Sequence, residues 1–191
     1  MTANTYPLRC QCGTVQAVLS DLRKSNRVVC YCKDCQAFAR ALGQESRVLD
    51  PLGGSDIIQV PPRNLCFTQG IEALACLRLT PKGLFRWYAG CCRTPIGNTL
   101  PTRNWSFIGL VHTCLVADHL SLDEAFGPVT AWVHTQGASG SPKPEERGLG
   151  RTIGWFLKTT CMARLNGDYK RTPFFQQETG APVVTPVVLA S

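Results

Sequence analysis

Apolar and polar residues alternate in short runs along most of this chain, and long helical periods are rare. Val15, Ala17 and Leu19 share one parity against Thr14 and Gln16, which predicts a strand despite the apolar Val18 on the polar side. Asp21 to Asn26 reads as a polar turn and Val28-Val29 as a short β-prone lead into Cys30, so a hairpin is expected across residues 14–30. Residues 55–60, stopped by Pro61-Pro62, then 65–69, 74–79 and 84–89 continue the series of strands. Residues 47–49 and 129–133 are briefer strand candidates. The apolar run 105–116 has no period that chooses between a strand and a buried helix.

Helical signals are fewer. Residues 36–42 carry Phe38, Ala39, Ala41 and Leu42 ahead of Gly43, which predicts a short helix. Ser121 to Glu124 has the spacing of a capping box opening a short helix that ends at Gly127. Ile153, Phe156, Leu157, Thr160, Cys161 and Leu165 recur at helical spacing and predict an amphipathic helix of about four turns, closed by Asn166-Gly167. Residues 1–9 read as a loose lead-in and 136–150 as the clearest loop. Pro182 and Pro186 make the tail an edge strand or an extended arm. The sum is a mainly β fold with a helical C-terminal addition. Residues 1–135 form the β domain, and 136–191 supply linker, amphipathic helix and an extended arm packed on the core.

Composition narrows the class. A chain of 191 residues with 44% apolar content suits one domain with a real core. Eleven cysteines, with neither a secretory leader nor a membrane-length apolar run, place the protein in a reducing cytoplasm. Clustered cysteines there are ligands or nucleophiles rather than disulfides. The net charge of +7 is dispersed. Arg23, Lys24 and Arg27 form the densest basic group, with Arg9 and Lys33 flanking; they read as a solvated face, or as an anion-steering rim near Cys35. Nucleic acid is disfavoured as a partner, because RNP, helix-turn-helix and finger signatures are missing.

The candidate chemistry lies in Cys30-Tyr31-Cys32-Lys33-Asp34-Cys35, Cys10-Gln11-Cys12-Gly13 and Cys91-Cys92. Thiolates at C-x-C and C-x-x-C spacing gather readily around one zinc ion. Cys30, Cys32 and Cys35 supply three ligands and leave a fourth position for water or substrate, the arrangement of catalytic zinc. The alternatives are a closed site completed by Cys10, Cys12 or Cys92, and a redox or metal-free thiol cluster. Cys10 and Cys12 pair naturally with Cys91 or Cys92. Adjacent cysteines sit awkwardly on one tetrahedron, so one of that pair is expected to point elsewhere.

Cys66, Cys76, Cys114 and Cys161 are expected to be buried free thiols. His112, His119 and His134 have no ligand spacing; His112 or His134 serves as an acid or base only if folding brings it near Cys35. Asp34 is a candidate local acid/base, outer-shell group or solvated carboxylate. Trp87, Tyr88, Trp105 and Phe107 are read as core.

Taken together, Cys10-x-Cys12-Gly13-x-Val15, Cys30-x-Cys32-x-x-Cys35 and Cys92-x-Thr94-Pro95-Ile96-Gly97 resemble the glutathione-dependent formaldehyde-activating enzyme family, which includes centromere-protein-V-like members. The resemblance covers roughly residues 8–100. It implies a β-rich, Mss4-like zinc-binding fold with one or two zinc ions. Cys30, Cys32 and Cys35 match the family's catalytic zinc trio, and Cys10 and Cys12 match two structural ligands. The family's third block is C-x-x-C-G. Here Cys92 matches its second cysteine, Ala89 stands at the first, Arg93 replaces the glycine, and Cys91 is an extra thiol. Cys91 then stands in, or another residue completes the site, or the outer site is lost.

The function implied is a zinc-dependent carbon–sulfur lyase-like enzyme acting on glutathione, or other thiol, adducts of a small aldehyde. Glutathione is the candidate co-substrate. The alternative is a non-enzymatic zinc-stabilised scaffold binding a protein or nucleic acid. The expected partners are small thiols and aldehydes, with no membrane, and a homo-oligomer is compatible with the sequence.

Overall fold

A computed structural model describes residues 4–116 and 119–189. The strands divide into two sheets. The smaller is antiparallel, in the order β1 (Thr5–Arg9), β2 (Gln16–Ser20), β5 (Leu65–Gln69). The larger has eight strands: β10 (Ala131–Val133), β3 (Asn26–Cys30), β4 (Ser55–Val60), β9 (Ile108–Val111), β8 (Pro95–Thr99), β7 (Phe85–Ala89), β6 (Leu74–Arg78) and β11 (Val187–Val188). The helices are α1 (Lys33–Ala41), α2 (Glu45–Val48), α3 (Leu122–Phe126) and α4 (Leu149–Leu165). The architecture is mainly β. No helix among the described residues is long and apolar enough to cross a membrane.

The main core lies between the sheets. Leu8, Val15, Ala17 and Leu19 from the small sheet meet Ile58, Trp87, Ile96 and Leu110 from the large one. Phe174, far along the chain, is fully buried there, its ring 4.9 Å from that of Trp87. The large sheet's other face is covered by α1 and α2, where Phe38, Ala39, Leu42 and Val48 pack on Val28, Ile57, Leu77 and Val111. A sheet covered on both faces reads as continuous apolar sequence rather than alternation. That accounts for the uninterrupted burial of Val28-Val29 and of residues 108–111.

Several expectations are corrected. Residues 5–9 are strand β1, with Tyr6 and Leu8 buried on alternate positions; the lead-in has period 2. Residues 14–30 do not form a hairpin. β2 pairs with β1 and β5, and β3 with β4 and β10, so the polar turn carries the chain from one sheet to the other. Residues 47–49 are mostly helix α2, because Val48 is drawn onto the α1 cluster. Strand β8 begins at Pro95 and holds Gly97, residues that mark a turn when read locally. A Cβ at Gly97 would lie 2.7 Å from the Gly109 carbonyl oxygen, so close backbone approach to β9 explains that glycine. The run 105–116 resolves into β9 and a 3-10 turn.

The C-terminal segment is tied to the body of the protein. β11 adds to the edge of β6 in parallel register, Val187 opposite Leu77. Helix α4 begins at Leu149, with Asn166 as its C-cap. Its apolar stripe is not the buried face expected. Thr160 and Ala163 are buried, while Ile153, Leu157 and Leu165 are at least half exposed. Phe174→Ala should cost about 3–5 kcal/mol of unfolding free energy in urea titration, as for truncating any large core aromatic; a loss under 1 kcal/mol would mean that residues beyond α4 do not contribute to the core.

Candidate metal centres

Each cysteine cluster is built by the turn that carries it. Strand β1 ends at Arg9, and the chain turns through Cys10 to Gly13, where Gly13 adopts a φ of 79°. The Gly13 N–H donates to the Cys10 carbonyl at 3.0 Å, closing the turn. On the other sheet, the hairpin from β7 to β8 turns through residues 90–94, with Arg93 N–H donating to the Ala89 carbonyl and Ala89 N–H to the Thr94 carbonyl. The two hairpin tips meet.

Their four sulfurs, from Cys10, Cys12, Cys91 and Cys92, all lie within 4.8 Å of one another. The Sγ–Sγ distances are 3.5 Å for Cys10–Cys12, 3.3 Å for Cys12–Cys91, 3.9 Å for Cys10–Cys91 and 3.9 Å for Cys91–Cys92. A tetrahedron of thiolates about 2.3 Å from one zinc ion has edges of about 3.8 Å. The spacing is that of a closed four-sulfur metal site.

The adjacent cysteines therefore face the same centre, against the expectation that one would point away. The turn makes this feasible: Arg93 sits in the left-handed region, at φ 57°, and turns the chain directly after the pair. Glycine is the residue that enters that region without strain. The surroundings favour anionic sulfur. Val15 N–H donates to Cys10 Sγ at 3.2 Å, and the Thr14 and Thr94 hydroxyls lie 3.2 Å from Cys12 Sγ and 3.1 Å from Cys92 Sγ. As bare thiols the four divide their protons unevenly. Hydrogen bonds from Thr14 hold Cys12 down at about 6, while burial raises Cys10 and pushes Cys91 up to about 12.

Cys30, Cys32 and Cys35 form a separate group on the other side of the large sheet, again with sulfurs within 4.8 Å. Cys30 ends β3 and Cys32 is the N-cap of α1, its sulfur accepting the Cys35 N–H at 3.3 Å. The helix starts earlier than expected, at Lys33, so Cys35 lies in its first turn, where the helix dipole favours negative charge. Among the described residues no fourth histidine, cysteine or carboxylate joins these three. As bare thiols they settle as one thiolate and two donors. Hydrogen bonds from Cys30 and Cys35 pull Cys32 far down, aided by the charge of Arg86, and Cys30 is correspondingly raised.

The loop holding the trio is anchored from three sides. Gln36 Nε2 donates to the Tyr31 carbonyl at 3.0 Å and to the Gly137 carbonyl at 2.9 Å. Tyr31 donates its hydroxyl to Asp50 Oδ2 at 3.0 Å. A Cβ on Gly137 would lie 2.3 Å from the Tyr31 carbonyl oxygen, so glycine alone allows residues after β10 to press on the loop.

Arg86 is the residue the sequence reading missed. It is 2% exposed on β7, with Nη2 3.4 Å from Asp34 Oδ2, Nη1 donating to Asn98 Oδ1 at 3.1 Å and the guanidinium over the Phe38 ring. Its Nε has no hydrogen-bond partner among the described residues. A buried cation needs compensation, and Asp34 is itself mostly exposed. The Cys32 thiolate is the other negative group at hand, and the Arg86 charge adds to the hydrogen bonds from Cys30 and Cys35 that lower it. An arginine between Phe85 and Trp87 in an apolar strand was the available signal.

Other candidates fall elsewhere. Arg27 is buried against Asp56 and Asp123, and Arg23 borders a cleft beside α4, so neither rims the trio; Lys33 opens α1 beside it. His112 lies 3.3 Å from the Asp56 carbonyl oxygen, and burial lowers its pKa. His134 is exposed at the end of β10, and His119 is also exposed. Cys76 and Cys114 are buried thiols as expected, but Cys66 and Cys161 are exposed, lying on the outer side of an edge strand and the open face of α4. Trp87 is core, whereas Trp105 is 43% exposed, its ring stacked on Phe156.

The chain belongs to the family of unknown function DUF6151, whose pattern it matches over residues 2–184. No curated protein matches it. Among solved structures, a crystal structure of a Rhodobacter sphaeroides protein, Northeast Structural Genomics target RhR83, aligns with 16% identity over 66% of this chain and 98% of its own, at a TM-score of 0.42. That score is too low to carry fold or function across.

Two outcomes follow from this geometry. Arg86→Met should leave the four-sulfur site loaded and weaken metal at the trio about 10–100-fold, read as metal per chain during chelator titration, with Arg86→Lys recovering part of the loss. Equal loss from both sites would mark Arg86 as merely structural. Arg93→Gly should raise stability by about 1 kcal/mol by relieving the left-handed backbone, measured by denaturation at saturating metal; a destabilised variant would refute that account of the turn.

Proposed function

We propose that this member of the DUF6151 family is a two-zinc protein of Mss4-like fold that carries out carbon–sulfur lyase-like chemistry on thiol adducts of a small aldehyde. The observation that carries the reading is the contrast between the clusters: four sulfurs at tetrahedral spacing in one, three with no fourth partner in the other. All-sulfur tetrahedral sets suit zinc or iron–sulfur centres. Zinc is favoured for sites of seven cysteines split four and three, because three protein ligands and one free position is the catalytic arrangement of that ion. When bound at the trio, zinc supplies an open position for a substrate thiolate and a Lewis acid of moderated strength.

The protein's own residues supply the rest. Cys30, Cys32 and Cys35 hold the ion, and their three negative charges exceed its two positive ones. Buried Arg86 offsets the excess. Lys33, exposed at the start of α1, would meet a carboxylate of glutathione, the candidate co-substrate. Asp34, on the trio's own turn and paired with Arg86, would carry the proton between thiol and hydroxyl. The reaction balances without a redox partner. The thiol sulfur bonds to the carbonyl carbon, the thiol proton passes to the carbonyl oxygen, and the S-hydroxyalkyl adduct forms; the reverse direction releases thiol and aldehyde.

A scaffold is the second reading. The exposed Ile153, Leu157 and Leu165 of α4 favour it, since they offer a protein partner an apolar surface. The two readings differ on whether zinc at the trio accepts an external thiol. With zinc-loaded protein, glutathione and formaldehyde, proton NMR should show adduct exchange faster than in buffer. Cys35→Ser should drop zinc from two ions per chain to one and slow that exchange by about two orders of magnitude or more, since a Lewis-acid ion contributes several kcal/mol to such a step. Retained zinc with unchanged exchange would reject the trio as the reactive centre. Two bound ions, no exchange and no uptake of glutathione would favour the scaffold.

A further inference from the structure

We infer that the cleft between α4 and the turns at Leu22–Lys24 and Pro62–Asn64 is a second binding site, which takes a phosphate-bearing planar ligand of mononucleotide size. The cleft encloses about 420 Å³, within the range of small-molecule sites. It lies at the Asn26 end of β3 and the trio at the Cys30 end, so roughly 13 Å of strand separates them, and it does not depend on the zinc chemistry.

One face of α4 forms a wall of the cleft. Trp155, Lys158, Thr159 and Met162 line it at positions i, i+3, i+4 and i+7. Trp155 is half-buried and has no aromatic partner among the described residues, whereas its neighbour Phe156 stacks on Trp105. Met162 is 55% exposed on the same wall. An open indole beside an exposed thioether is a surface for a flat ring.

The rim is cationic. Arg23, Lys24, Arg63 and Lys158 border the cleft against a single carboxylate, Asp168. Lys24 is paired with Asp21 and Arg63 with Asp168. Arg171 and Asn166 also bond Asp168, so its charge is already answered. Arg23 and Lys158 have no ion-pair partner among the described residues. Arg23 on the Leu22–Lys24 turn and Lys158 on α4, between Trp155 and Met162, fit one anionic group joined to one ring system, and a phosphate on a nucleoside satisfies both. A peptide thiol such as glutathione has the charge but no ring. A bare anion would leave the wall unused.

Titration of the full zinc-loaded chain with AMP, followed by indole fluorescence, tests this. AMP should quench saturably, with adenosine and inorganic phosphate each binding about tenfold more weakly or worse, because each keeps only half of the interactions. Trp155→Phe should remove the quench. The Arg23→Ala/Lys158→Ala double variant should weaken AMP about tenfold or more with zinc content unchanged, and added salt should weaken wild-type binding in the same direction. The inference is overturned by the absence of saturable quenching up to about 10 mM, by a quench that survives Trp155→Phe, by unaltered AMP affinity in the double variant, or by phosphate or glutathione binding as tightly as AMP.

Discussion

Four sulfurs join the tips of two hairpins that belong to different sheets. Cys10 and Cys12 turn the chain between β1 and β2, and Cys91 and Cys92 turn it between β7 and β8. The sheets also meet through the apolar layer between them, which is non-directional, and through a few hydrogen bonds such as that from Gln11 N–H to Thr94 Oγ1. The sulfur cluster is directional, because its members must meet at tetrahedral spacing. It sets how the small sheet lies on the large one at that end, and the left-handed Arg93 is the local strain accepted to put both adjacent cysteines on the centre.

The large sheet separates two kinds of chemistry. One face is given to the apolar layer beneath the small sheet. The other carries α1, and with it the three-sulfur group, buried Arg86 and the Phe38 ring. The Gln36 side-chain amide, the Tyr31 hydroxyl on Asp50 and the close backbone approach of Gly137 hold the trio's loop, so its sulfurs are presented from a fixed frame. The three sulfurs could hold a metal ion, and among the described residues no fourth histidine, cysteine or carboxylate joins them.

The last third of the chain serves both regions. Phe174 fills the layer between the sheets, β11 extends the large sheet, and the turn after β10 presses on the trio's loop. Helix α4 contributes differently. It buries little, keeps an apolar edge open and turns Trp155 and Lys158 toward a cationic cleft. A helix that is under-used as core has faces left for ligands or partners, and the cleft accounts for one of them.

Local chemistry in the sequence was enough for much of this. Short β-prone runs bounded by Pro and Gly located strands such as β4, β5 and β7, Ser121 and Glu124 marked the start of α3, and cysteine spacing named both sulfur groups, because each signal involves neighbours in the chain. Tertiary contacts decided the rest. β8 hides behind Pro95 and Gly97, whose reason is the backbone of β9. The two cysteines at 91 and 92 share a centre only because a distant turn arrives opposite them. Arg86 lies 51 residues from Cys35 in the chain and beside the trio in space. Which charge faces which sulfur depends on how sheets stack and helices cross them, and nothing in the local order of residues encodes that distance.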